Sequence, residues 1–250
     1  GKRTVARRQA INDQGHQPAK RGGMSLKKKL DSIQKRIGFA QKRGGFDHPV
    51  QLMAVTKTRP FTTIQDCYRS QIMAIGENRI QEAATKFRSF SDMPGLVLRF
   101  IGHLQSNKVN KCLELFDTVD SVDSVKLARR ISNRAAALGK TVPVLLEVNT
   151  SGEPQKGGFD PNQEEEMLAC MKENNIQVDG LMTIGPYTQD QMVIRKAFSA
   201  LRLLSQSLNT QAGGKTLKEL SMGMSGDYEL AAEEGSTIVR LGTALFGPRE

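Results

Sequence analysis

From Gln51 onward, short apolar runs alternate with amphipathic stretches eight times, and this alternation constrains the fold more than any other property of the chain. The runs are Gln51 to Thr56, Ile72 to Ile75, Val97 to Ile101, Asp117 to Asp120, Val142 to Val148, Val178 to Met182, Leu217 to Ser221 and Ile238 to Leu241. Each has the length of a strand and is too short for a helix. Between them the spacing predicts helices near 62–71, 79–89, 106–115, 124–138, 163–174, 190–209 and 227–234. A further helix over 25–43 precedes the first strand, with Leu26, Leu30, Ile33, Ile37 and Ala40 on one face and Gly44-Gly45 at its end. Periodicity alone does not separate a closed barrel from an open doubly wound sheet. Eight consecutive repeats favour a single (β/α)8 TIM-type barrel with an extra N-terminal helix, spanning residues 24–250.

No run approaches the roughly 18 apolar residues of a membrane span, so no membrane partner is expected. The formal charge of +10 invites a nucleic-acid reading. Half of it, however, lies in residues 1–23, where Lys2, Arg3, Arg7, Arg8, Lys20 and Arg21 face Asp13 alone, a net +5. That segment has neither apolar periodicity nor a signal-peptide core, and Met24-Ser25 reads as a natural start. Residues 1–23 are therefore expected to be a disordered basic extension, the alternative being a native basic arm. With few aromatics and no recognised motif, no nucleic-acid partner is expected. Cys67, Cys112 and Cys170 form no CxxC pair, and His16, His48 and His103 are scattered. These features point to a reducing cytoplasm and to no metal.

In such a barrel the chemistry sits just past the C-terminal ends of the strands. The residues there are Lys57, Asn78, His103, Asn149, Ser221 and Arg240, any of which alone could be an ordinary solvated loop residue. Lys57 follows directly on a buried apolar strand. Beside Arg59 in a pocket its ammonium should lose a proton readily, as an amine that attacks an aldehyde must. Position alone equally admits a lysine reaching out of the barrel mouth to water. The run Ser221-Met222-Gly223-Met224-Ser225-Gly226 enters the next helix, and Gly242-Thr243 follows the last strand. Glycine-rich backbone and hydroxyls at these two adjacent positions have the composition of a phosphate cradle.

Ala54 to Pro60, Gly76-Glu77-Asn78, Phe100 to Lys108, Val148 to Glu153, Gly180 to Ile184, Leu220 to Ser225 and Gly235 to Thr243 closely resemble the pyridoxal phosphate homeostasis protein family, a single-domain relative of the alanine racemase barrel. The resemblance runs from about residue 26 to Gly247. It implies pyridoxal 5'-phosphate as cofactor, held as an internal aldimine on Lys57. Ser225, Gly242 and Thr243 would hold its phosphate, with the backbone of Ser221, Met222, Gly223 and Met224 assisting. Asn78 would line the ring side, and Arg240 would face the pyridine nitrogen. An arginine there cannot protonate the ring, which stays a poor electron sink. The expected function is accordingly a carrier or buffer of the cofactor, serving PLP-dependent apo-enzymes, without strong turnover and as a monomer. Two positions depart from the family pattern. Arg79 stands where a tyrosine is usual, and Leu98-Arg99 where Trp-His is usual; both arginines are expected on a solvated rim, an anionic ligand being the other reading.

The competing enzymatic reading is an amino-acid racemase. Racemisation needs a second base on the opposite face of the cofactor, which in the racemases is a tyrosine of a separate domain. Here the tyrosines are Tyr68, Tyr187 and Tyr228, and only three residues follow Gly247.

Overall fold

The structure, a computed structural model, describes residues 25–249; the expectation for residues 1–23 lies outside them. The N-terminal helix α1 (Leu26–Gly44) starts at Ser25, whose side chain accepts the Lys28 amide. It stops where Gly45 adopts φ 79°, returning its own and the Phe46 amide to the last carbonyls. Strands β1 (Gln51–Val55), β2 (Ala74–Glu77), β3 (Val97–Phe100), β4 (Thr118–Val122), β5 (Val142–Glu147), β6 (Ile176–Met182), β7 (Glu219–Ser221) and β8 (Ile238–Leu241) follow in order. The helices between them are α2 (Phe61–Arg69), α3 (Ile80–Lys86), α4 (Val109–Leu115), α5 (Val125–Ala137), α6 (Glu164–Met171), α7 (Gln191–Gln211) and α8 (Tyr228–Glu233). All strands are parallel, and β8 returns to β1 to close an eight-stranded barrel.

The expected alternation holds, with local displacements that have physical causes. The second strand lies at Ala74–Glu77 rather than at Ile72 to Ile75. Gln71 takes a left-handed φ of 64° after α2, and the Ile72 amide returns to the Cys67 carbonyl, so Ile72 closes the helix instead of opening the strand. Helix α3 ends at Lys86 because Phe87 turns extended and packs edge-to-face on Phe90 and Phe116. The stretch from Ser106 begins as a 3-10 turn before α4. A one-turn helix, α9 (Thr243–Phe246), follows β8 without having been anticipated.

Side chains alternate across each strand, and this alternation builds the site. Met53, Ala74, Leu145, Met182 and Ile238 point inward and pack together as the barrel floor. Two residues further along their strands the same face carries Val55, Gly76, Glu147 and Arg240; Lys57 and Asn78 follow just past the ends of β1 and β2. At Gly76 the absence of a side chain leaves room for Met53, whose sulfur would stand 2.7 Å from a Cβ there. Outward-facing residues such as Ile75, Phe100, Val119, Leu146 and Leu181 join the larger core beneath the helices.

Arg99 corrects the rim expectation. Its neighbour Phe100 packs outward on Phe116, which turns Arg99 inward, where it is 9% exposed. Its Nε donates to Asp120 Oδ2 at 2.7 Å, and Thr118 Oγ1 donates to Asp120 Oδ1 at 2.8 Å. The cation is spent on a buried pair. Arg79, by contrast, is exposed at the start of α3, as a rim residue should be.

Helix α1 packs on α8 through Leu30, Ile33, Ile37 and Ala40, and Glu233 of α8 accepts from Arg43 at 2.6 Å while pairing with Arg195. At Gly44 the backbones approach so closely that a Cβ would lie 2.0 Å from the Glu233 carbonyl oxygen, whereas at Gly38 it would meet nothing within 4 Å. Gly44→Ala should therefore cost about 1–3 kcal/mol in urea unfolding, while Gly38→Ala should be neutral or stabilising by up to about 1 kcal/mol. Equal midpoints for the two variants would show that this contact does not hold α1.

Candidate functional site

At the C-terminal end of the barrel a cavity of about 180 Å³ opens between β1 and β8. Of the residues singled out from sequence, it brings together Lys57, Met224, Ser225, Arg240, Gly242 and Thr243. Sequence reasoning did not single out Val55, Phe246 or Arg249, which also line it. Val55 follows from strand parity. Arg249 lies beyond α9 in no motif that could have marked it. Asn78, expected on the ring side, is not among the residues that line the cavity; it lies just past β2, and its buried Oδ1 has no hydrogen-bond partner among the described residues.

Burial pushes the Lys57 ammonium below the ordinary lysine range, repulsion from Arg249 and then Arg79 adds to this, and Glu82 opposes it. Arg59 is not among these influences. Its Nη2 donates to the Gly247 carbonyl at 2.9 Å and its guanidinium lies 5.5 Å over the Phe246 ring, so the expectation that Arg59 tunes Lys57 is replaced by Arg249 and Arg79.

Arg240 is 3% exposed and fixed by two bonds, Nη1 to Ser221 Oγ and Nη2 to the Thr183 carbonyl, both at 2.8 Å. Burial draws its pKa down, while Asp120, Asp227 and Glu147 favour its charge. Ser221 thus supports Arg240 rather than facing the cavity. Met222 and Gly223 also lie behind it, the Met222 amide donating to Ile238 O and Gly223 O accepting from the Arg240 amide. Gly223 has φ 103°, and a Cβ there would meet Ala231 at 2.7 Å, so glycine lets the β7 loop press onto α8.

The two loops expected to form an anion cradle do meet: the Ala244 amide donates to Ser225 Oγ at 3.1 Å. Asp227 receives the Met224 amide at 2.7 Å and sets the turn. The amides of Ser225, Gly226 and Thr243 have no acceptor among the described residues. Donors without acceptors, beside cationic side chains, are what an oxyanion requires.

His103 and Asn149 sit elsewhere on the mouth. His103 is exposed, its Nδ1 3.8 Å from Asp123, and Asn149 organises its own loop by donating to the Glu153 carbonyl. None of the three tyrosines lines the cavity: Tyr68 donates to Pro94 O, Tyr228 is buried, and Tyr187 is 97% exposed. The three cysteines are buried free thiols, each pushed up to about 12 by burial. Among the described residues no group of His, Cys, Asp or Glu could hold a metal ion, and no helix is long and apolar enough to cross a membrane.

With this geometry in hand, the class follows from comparison. The family model described as alanine racemase, N-terminal domain, matches residues 29–250. The alanine racemase of Clostridium difficile 630, solved in complex with cycloserine, shares the fold at TM-score 0.72 and 16% identity, over 90% of this chain and 60% of that one. Much nearer in sequence are proteins named pyridoxal phosphate homeostasis protein. That of Aquifex aeolicus is 38% identical over 229 residues, 91% of this chain and all of that protein, and that of Pseudomonas aeruginosa is 38% identical over 228 residues, covering 90% and 96%. PipY of Synechococcus elongatus PCC7942, solved with PLP bound, superposes at TM-score 0.79 with 36% identity, over 89% of this chain and 100% of that one. The chain belongs to the pyridoxal phosphate homeostasis protein family.

Glu147, inward-facing on β5, was not anticipated. Burial and then Asp123 push it up to about 7, against the pull of Arg240. A folded-state pKa above the unfolded value of 4.5 means that its favourable share of stability is complete below about 4.5 and is lost as pH rises through about 7. Glu147→Gln should leave stability at pH 4.5 near wild type and raise it at pH 8 by more than about 1 kcal/mol. Equal wild-type and variant curves across that range would show that Glu147 ionises normally.

Proposed function

We propose that this protein binds pyridoxal 5'-phosphate through Lys57 and serves as an intracellular carrier and buffer of that cofactor rather than as an efficient enzyme. The observation that carries this reading is the coincidence, in one cavity, of a lysine with a depressed pKa, a cradle of unpartnered amides and a fixed guanidinium. Each suits one part of the ligand. The Lys57 amine suits the aldehyde carbon, where its nitrogen would form a carbon–nitrogen double bond with loss of water. Ser225, Gly226 and Thr243 suit the phosphate, with Gly242 leaving the approach open. Arg240 suits the ring nitrogen, and the unpartnered Asn78 suits the ring edge. Ser221, Met222 and Gly223 would act through Arg240 and the loop's shape, and Met224 from the rim.

When bound, the cofactor supplies an aldehyde that can condense with amines. The chain's own groups favour holding over turnover. Arg240 has two donor bonds into the barrel wall and no proton to give, so the ring nitrogen would stay neutral. No tyrosine lines the cavity as a second base. The names of the relatives support homeostasis of the cofactor as the role. Release to PLP-dependent apo-enzymes by a monomer in the reducing cytoplasm completes the proposal; the three buried free thiols suit that compartment.

The purified protein supplied with PLP should show an absorbance band near about 420 nm that borohydride removes, fixing the cofactor to Lys57 on peptide mapping. Lys57→Ala should lack the band and Lys108→Ala should keep it. A borohydride-sensitive band persisting in Lys57→Ala would overturn the attachment. For the carrier reading, α-proton exchange of L-alanine in deuterated buffer should be slow or absent at measured cofactor occupancy. Exchange on the order of 1 per second or faster would restore the racemase reading.

A further inference from the structure

Lys57 stands on a turn whose shape the local sequence does not favour. Thr58, β-branched, has φ 64°, in the left-handed region such residues avoid. A conformation of this kind persists only where its surroundings over-determine it. The surroundings here lie on the far side of the barrel wall, between β1, β2 and α3. Lys86 of α3, with its side chain 8% exposed, donates to the Thr56 carbonyl at 2.9 Å and pairs with the fully buried Glu77. Thr56 Oγ1 donates to the same Glu77 oxygen at 2.7 Å. Glu82, one turn before Lys86, accepts the Thr58 amide and lies 3.5 Å from the Lys86 ammonium.

This arrangement is expensive as a source of stability. Lysine is rarely buried, a buried ion pair roughly offsets its own desolvation, and Glu77 Oε2 has no hydrogen-bond partner among the described residues. Burial accordingly drives the Glu77 carboxyl above its usual range despite Lys86 and Thr56. What the cluster does secure is geometry: it anchors the residue before Lys57 through its carbonyl and hydroxyl and the residue after it through its amide.

We infer that Lys86 is the positioning residue for Lys57, holding the end of β1 directly and the Lys57–Thr58 turn through Glu82, so that the Lys57 amine stands in the cavity rather than in solvent. The inference rests on the attachment at Lys57 proposed above. Freed of Lys86, the turn would expose Lys57 to water and leave Glu82 to face it, with Arg79 and Arg249 as the remaining charges. Both changes stabilise the ammonium over the amine.

The test compares wild type, Lys86→Met and the double variant Glu77→Gln/Lys86→Met, without cofactor and then with it. In the cofactor-free proteins, competitive labelling with acetic anhydride, mapped by mass spectrometry across pH, reads the Lys57 pKa directly. Lys86→Met should move it up by about one unit and weaken PLP binding on the order of tenfold. The double variant leaves no unpaired buried charge, so its thermal midpoint should return toward wild type while both Lys57 changes remain. Should the single variant prove unfolded, the double variant decides alone. A wild-type Lys57 pKa in either folded variant, or its recovery together with the midpoint, would reduce Lys86 to a structural residue. Cofactor found elsewhere than on Lys57 would overturn the attachment, while the labelling of cofactor-free protein would still judge Lys86.

Discussion

The pairing of β8 with β1 is the interaction on which the site depends. Met53 sits opposite Arg240 and Ala54 opposite Leu241, so the last strand of the barrel is hydrogen-bonded to the first. Only this closure sets Lys57, from the beginning of the barrel, against Arg240, Gly242 and Thr243, from its end. The neighbouring β7 loop joins them through the bond from the Ala244 amide to Ser225. A doubly wound open sheet with the same strands and loops would hold these residues apart, whatever their chemistry.

The interior above the floor carries several buried charges, and they are arranged in answer to one another. Asp120 accepts from Arg99 and favours the charge on Arg240, and Asp227 and Glu147 also favour the Arg240 charge. With the two interior arginines matched this way, Arg240 can be almost wholly buried and still line the cavity with its guanidinium fixed. The small residues Ala74 and Gly76 on β2 leave room beside Met53 and next to Arg99. Burial without such matching would cost several kcal/mol for each ion.

Much of this was legible from sequence because the relevant signals are local. Strand length, the two glycines and two serines of Ser221 to Gly226 and a lysine directly after an apolar strand each carry their meaning within a few residues. What was not legible depends on facing. Nothing local tells which side of β3 Arg99 occupies; only Phe100 packing outward on Phe116 settles the parity. Arg59 adjoins Lys57 in sequence, yet it turns to Gly247 and Phe246, and the cation that bears most on Lys57 is Arg249, almost two hundred positions away. Lys86 and Glu77 belong to different elements and look like an ordinary helix lysine and a strand-end glutamate until the wall between them is built. The start of the second strand is not legible, because the αL turn at Gln71 that decides it is carried by a residue with no special turn propensity.

The docking of α1 on α8 also has a consequence for how the chain is made. Arg43 and Glu233 are separated by 190 residues. At ordinary rates of synthesis, the apolar stripe of Leu30, Ile33 and Ile37 leaves the ribosome about 10 to 40 s before its partner exists. Throughout that interval the stripe lacks the surface that covers it in the folded protein, and an isolated helix of this length is only marginally stable in water, so α1 is completed by its docking on α8. The cavity is subject to the same delay, since Arg240 and Thr243 emerge later than Glu233. The cavity that these residues line is therefore complete only once β8 and the turn after it have been translated.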